Sequence, residues 1–266
     1  MRFIYFVFSL FLLSNSWGAI DLVFDIDYTL VQEVEPGTPK ALKLKADGKY
    51  YRVHDWAIEV LDNLRYQNVN ISFFSGGSEA RNLEILGLIK FPSDQKSFRD
   101  IAKHIFSFQH LEEVAKEGKF GERYKKNLKR LGFDLKKTLL IDDYINFVPK
   151  SQLRNQLYIG RTYHFFSSYQ EGVSQIGRGT YEAKYIPHSQ ESWLIAKNKL
   201  KFVGELVLDA LEKASESEFL NFIHRNRARY IPYAEMLQGR FKNLFQQGRS
   251  LGVCFRHASI LRYKKN

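Results

Sequence analysis

The chain has 266 residues, enough for one large domain or two small ones with a real core. Its 44% hydrophobic and 26% charged content exclude an intrinsically disordered chain, and its single cysteine, Cys254, excludes an internal disulfide. A formal net charge of +11 favours acidic ligands such as phosphate esters, nucleic acid or anionic lipid headgroups, but a solubilising basic surface accounts for it equally well.

The first residues read Met-Arg, then a nearly unbroken apolar run from Phe3 to Leu13, then small residues through Ala19. This order describes a secretory signal peptide over 1–19, with cleavage after Ser16, Gly18 or Ala19. An uncleaved anchor or a buried strand are the alternatives, but the run is shorter than the roughly 20 residues a span needs. The expectation is an exported protein, periplasmic or secreted, with no stable membrane span after cleavage.

From 20 to about 160, strand-like and helix-like segments alternate. The expected strands are Ile20–Phe24, Val69–Phe74, His104–Phe108, Thr138–Ile141 and Gln156–Ile159. Amphipathic helices are expected at Trp56–Tyr66, Ser78–Leu88 and Tyr124–Leu131. That order predicts an α/β fold, a doubly wound parallel sheet with right-handed crossovers. Residues 31–53 contain the turn signals Pro36-Gly37 and Asp47-Gly48 beside Tyr50–Val53, and read as a small β-hairpin flap with no room for a large cap domain. Tyr163 to Ser189 reads as an irregular excursion. Trp193, Ala196, Leu200, Val203, Val207 and Ala210 form a helical stripe, Ser215 with Glu218 resembles a capping box, and Pro232 precedes a last helical pattern to about Phe245. Residues 161–266 are thus a mostly helical extension packed on the 20–160 core. Cys254, between Val253 and Phe255, reads as a buried apolar filler.

Chemistry concentrates at the strand ends. Asp25 and Asp27 follow the first strand, and carboxylates at i and i+2 there both reach the crevice where open α/β sheets bind ligands. Two anions so close need a cation or a proton between them, which suits a divalent metal site, a nucleophile with an acid/base partner, or both. A surface turn with two solvated acids is the plainer alternative. Ser75, followed by Gly76 and Gly77, can present a hydroxyl and backbone N–H groups to an anion, or simply cap a helix. Asp142 and Asp143 suit a hard cation such as Mg²⁺, or cap a following turn. Lys125 and Lys126 precede that strand in a run where most lysines are expected to be solvated.

The pattern Asp25-x-Asp27-x-Thr29-Leu30 resembles motif I of the haloacid-dehalogenase (HAD) superfamily of phosphohydrolases. The order that follows, strand-end Ser75, then a lysine, then Asp142-Asp143, resembles its remaining motifs. The stretch from Tyr124 to Asp143 is similar to the Lys-Asp-Leu to Asp-Asn stretch of the NLI-interacting-factor-like branch, which includes the small phosphatases of the RNA polymerase C-terminal domain. Arg52-Val53-His54 sits where that branch has Arg-Pro-His. The resemblance covers roughly 20–160. Ile145 and Asn127 depart from the branch's usual Pro and Asp, at positions that supply no essential chemistry.

The resemblance implies an Mg²⁺-dependent phosphomonoesterase. Asp25 is then the nucleophile that takes the phosphoryl group, and Asp27 the acid/base. Ser75 bonds a phosphoryl oxygen and Lys126 balances charge. Asp142, the Asp25 carboxylate, the Asp27 backbone carbonyl and, directly or through water, Asp143 hold the metal. The expected partner is a phosphorylated small molecule or phosphopeptide. Two other classes stay open. One is a fold-retaining binding or scaffold protein, against which the intact Asp25/Asp27 pair speaks. The other is a polynucleotide end-phosphatase, suggested by Arg225, Arg227 and Arg229 beside Tyr230, although a solvated basic helix end is the ordinary reading of such a run.

Overall fold

The computed structural model describes residues 18–160, 166, 168–174, 187 and 189–230. The segment read as a signal peptide (all but its last two residues), most of 163–189, the helical pattern after Pro232 and Cys254 lie outside them.

At the centre is a five-stranded parallel sheet, order β10-β9-β1-β5-β6. Its strands are β1 (Ile20–Phe24), β5 (Val69–Phe74), β6 (Ile105–Phe106), β9 (Thr138–Asp142) and β10 (Gln156–Tyr158). Every residue of β1 and β9 is buried, as expected for strands covered on both faces. Phe24 pairs with Phe73 on one side and Ile141 on the other, so the three central strands end level. Asp25 just past β1, Ser75 just past β5 and Asp142 at the end of β9 therefore lie along one edge of the sheet, at its C-terminal end. The expected strand at His104–Phe108 is only two residues long, because Ser107 and His110 fold the chain into a 3-10 turn over Phe108–His110.

The helices follow their apolar periodicity. α1 (Ala57–Leu64) buries Ala57, Val60, Leu61 and Leu64, the spacing of one helical face. α2 (Glu79–Leu88) starts at Ser78, whose hydroxyl accepts from the Arg81 N–H. Between β1 and α1 the expected hairpin is a three-stranded antiparallel flap: β2 (Val31–Val34), β3 (Leu42–Lys43) and β4 (Tyr50–Val53), order β2-β4-β3. Gly48, at φ +71°, makes the turn from β3 into β4.

The segment expected as a helix over Tyr124–Leu131 is not one. A short helix, α3 (Phe120–Arg123), ends where Tyr124 turns extended, and β8 (Tyr124–Lys125) pairs antiparallel with β7 (Glu112–Glu113). The Lys126 N–H then bonds the Phe147 carbonyl, and the Asn127 side chain accepts from the Arg130 N–H, starting a fresh turn that Gly132 ends at φ +84°. Asn127 competes for local backbone donors and interrupts what periodicity alone reads as continuous.

Beyond the sheet come α4 (Tyr169–Val173), α5 (Gln190–Lys213) and α6 (Phe219–Tyr230). The whole expected stripe of α5 is buried, and Leu200, Val203, Val207 and Ala210 share one apolar core with Leu22, Leu61 and Ile141. α5 lies against α1, with Gly204 so close to Val60 that an added Cβ would sit 3.0 Å from its methyls. The capping box at Ser215 does not form; its hydroxyl meets Ser217, and Glu216–Glu218 make a 3-10 turn before α6. Among the described residues no helix is long and apolar enough to cross a membrane.

Candidate active site

Lys126 is the centre of the site. It is 0% exposed, and its ammonium donates to Asp25 Oδ1 at 2.5 Å and Asp142 Oδ2 at 2.8 Å. Lys126 follows directly on the extended pair Tyr124–Lys125, which explains the selection among neighbouring lysines. Successive side chains of a strand point to opposite sides. Lys126 therefore points inward, while Lys125 turns away and donates to the Gly121 and Asn146 carbonyls. The rings of Phe147 and Phe74 flank the Lys126 ammonium at 4.9 and 5.5 Å.

Three acids surround this lysine. Asp25, Asp142 and Asp143 bring ligand oxygens within 4.8 Å of one another. Asp142 also accepts the Tyr144 N–H at 2.7 Å, so it caps the following turn as well as facing Lys126. Burial pushes the Asp25 carboxyl up to about 8; Lys126 opposes that push, while Asp142 and Asp27 add to it. Burial, then Asp25 and Asp142, push Asp143 well above the carboxylate range. Burial works against the charge on Lys126 too, but Asp142 and Asp25 outweigh it and hold its pKa above the ordinary lysine value. These directions agree: one ammonium facing more carboxylates than it can neutralise stays charged, and the surplus acids compete for a further cation. A cluster of hard oxygen donors with an unmet need for positive charge fits a divalent ion such as Mg²⁺.

Asp27 stands apart from this cluster. The Ser75 hydroxyl donates to its Oδ2 at 2.6 Å, and the Arg81 guanidinium clamps both its oxygens. Ser75 in turn accepts the Gly77 N–H at 2.9 Å. Sequence reasoning missed Arg81, which α2 buries on its inner face with Asn82, Ile85 and Leu86. A charged residue four before Ile85, on the same helical face, was the available signal. It missed Lys199 in the same way. Lys199 interrupts the apolar stripe of α5, is 5% exposed, and is pushed down to about 7 by burial, with Asp143 opposing. The basic run near the C-terminus is less available than its sequence suggests, since Arg225 pairs with Glu218 at 3.2 Å and Arg227 donates to the Tyr158 carbonyl.

Comparison with known proteins agrees with the motif order. No curated protein matches the chain. Among solved structures it is similar to Fcp1, described as an essential RNA polymerase II CTD phosphatase, with a TM-score of 0.44 and 12% identity over 73% of this chain and 63% of that one. It is also similar to a variant of fission yeast Fcp1 bound to beryllium fluoride, with a TM-score of 0.39 and 14% identity over 88% and 67% of the two chains. The chain thus spans under two thirds of the first of these. A family model described as NLI interacting factor-like phosphatase matches residues 20–168, more than half of the sequence. The chain belongs to the NLI interacting factor-like phosphatases of the HAD superfamily.

Proposed function

We propose that the protein is an exported, Mg²⁺-dependent phosphomonoesterase that works through a phosphoryl group carried on Asp25. The observation that carries this reading is the buried Lys126 bridging Asp25 and Asp142, with Asp143 completing the acidic triad. Asp25 attacks phosphorus, and the bond to the leaving oxygen breaks as the aspartyl phosphate forms. Asp27 gives a proton to the leaving oxygen, then takes one from the water that releases phosphate. Ser75 bonds a phosphoryl oxygen, and Lys126 keeps the nucleophile and the incoming phosphoryl group from repelling each other. Asp25, the Asp27 carbonyl, Asp142 and Asp143 would hold Mg²⁺, which when bound supplies charge to the phosphoryl oxygens. The flap is small, which supports access by either small phosphate esters or phosphopeptides. The apolar leader supports export, and the shift in character near residue 160 supports a catalytic core over 20–160 with a C-terminal extension.

Hydrolysis of an aryl phosphate tests this directly. The purified protein is expected to turn it over with Mg²⁺ and to lose activity in EDTA. Full activity in chelator would rule the mechanism out. Sequencing the N-terminus of the exported protein tests the leader, and an intact Met1 there would remove cleavage.

A further inference from the structure

Three donors converge on Asp27: the Ser75 hydroxyl and two nitrogens of Arg81. The donors are held firmly and the acceptor is not. Arg81 is 6% exposed and lies over the Tyr51 ring at 4.6 Å. Its Nη1 is fixed by Asn82 Oδ1 at 2.9 Å, and Asn82 is itself tied to Ser107 at 2.9 Å. The Asp27 side chain, by contrast, is 36% exposed. Gly77 keeps the space beside the donors clear, since a Cβ there would lie 3.2 Å from Arg81 Nη1 and 3.3 Å from Ser75 Oγ. A guanidinium fork that fits a carboxylate fits a phosphoryl group as well, and more strongly for the larger charge.

An acid serving a leaving group cannot stay locked on three donors. We infer that Ser75 and Arg81 form a cradle for phosphoryl oxygens in which the Asp27 carboxylate sits until a phosphate ester displaces it. Arriving phosphate takes over the fork, and the released Asp27 carboxylate takes up a proton from solvent, the proton it then gives to the leaving oxygen. Arg81 thereby binds the transferred group and makes release of Asp27 depend on substrate. This rests on the phosphatase reading for its substrate, but the cradle can be tested without turnover.

The test is calorimetric titration of the full chain with inorganic phosphate at fixed Mg²⁺. Arg81→Met is expected to weaken binding by about 30-fold or more, in line with loss of a charged hydrogen-bonding partner. Arg81→Lys, which keeps charge but loses the fork and is the safer variant for folding, should fall between wild type and Arg81→Met. Asp27→Asn removes the competitor and should tighten phosphate binding several-fold, but only while Arg81 is present. If Asp27→Asn tightens binding equally in the Arg81→Met background, the gain is relief of repulsion and the displacement idea is wrong. Unchanged phosphate affinity in Arg81→Lys, with the protein folded, also overturns it. A wild-type chain that binds phosphate through Arg81 yet hydrolyses no ester would sink the phosphatase reading and leave the cradle standing.

Discussion

Among the described residues, Lys126 and Lys199 are buried to almost the same depth, and their pKa values move in opposite directions. Lys126 is held charged because Asp25 and Asp142 touch its ammonium. Lys199, on α5, is pushed down to about 7 because burial dominates and Asp143 only partly opposes it. Burial therefore does not decide the charge of a lysine here; the carboxylates in contact with it do. One lysine comes from the family-matched region and the other from the helix beyond it.

The largest expected effect is at the proposed nucleophile. Asp25→Asn should abolish aryl phosphate turnover, because an amide cannot accept the phosphoryl group, while Asp27→Asn should lower kcat by about 10²–10⁴-fold. Rapid-quench detection of phosphate on Asp25 in the wild type checks the covalent step. An Asp25→Asn enzyme with normal turnover, shown by mass spectrometry not to have deamidated, would remove Asp25 from the nucleophile role.

Next come the lysines themselves. Lys126→Met should lower kcat sharply and cost about 3–5 kcal/mol of stability in the absence of Mg²⁺, since it strands two buried carboxylates. Added Mg²⁺ should restore part of the lost melting temperature. Lys125→Ala, whose partners are loop carbonyls, should keep near-normal kcat. A dead Lys125→Ala enzyme beside an active Lys126→Met enzyme would mean that the inward lysine is misassigned.

The smallest effect is on the pH dependence of stability. The Lys199 pKa is lowered on folding, from 10.5 to about 7. Above the unfolded value both states are neutral and nothing is lost. Between there and about 7 the unfolded chain takes a proton that the folded one refuses, so stability falls as pH falls. Lys199→Met should remove this slope. Wild type should therefore gain on Lys199→Met by about 1.4 kcal/mol per pH unit between pH 7.5 and 9.5, read from denaturant melts at fixed Mg²⁺. Parallel curves for the two proteins would show that Lys199 keeps its proton on folding.

Much of this arrangement is legible in the sequence, and the misses have physical reasons. β1 and β5 fall at their expected bounds because β1 is a short, mostly apolar run ending at an acid and β5 alternates into an apolar pair before Ser75-Gly76-Gly77. Asp25, Asp142 and Asp143 meet because parallel register brings strand ends level, which the alternation of segments already implies. Lys126 lies between Asp25 and Asp142, but not on the expected helix: it follows the two-residue strand β8, because helical periodicity cannot see Asn127 starting a new turn. Arg81 and Lys199 were hidden by their residue type. Both occupy helix positions that face inward, and a charged residue there reads as an imperfection in the stripe until its partner across the fold is known.

The packing of α5 on α1 has a consequence in time. Gly204 of α5 meets Val60 of α1 across more than half the chain's length. A ribosome delivers the sheet and all three acids well before it delivers α5. During that interval the apolar face of α1 lacks its cover. The nascent chain thus holds a complete set of motif residues without a finished core, and full assembly waits on α5.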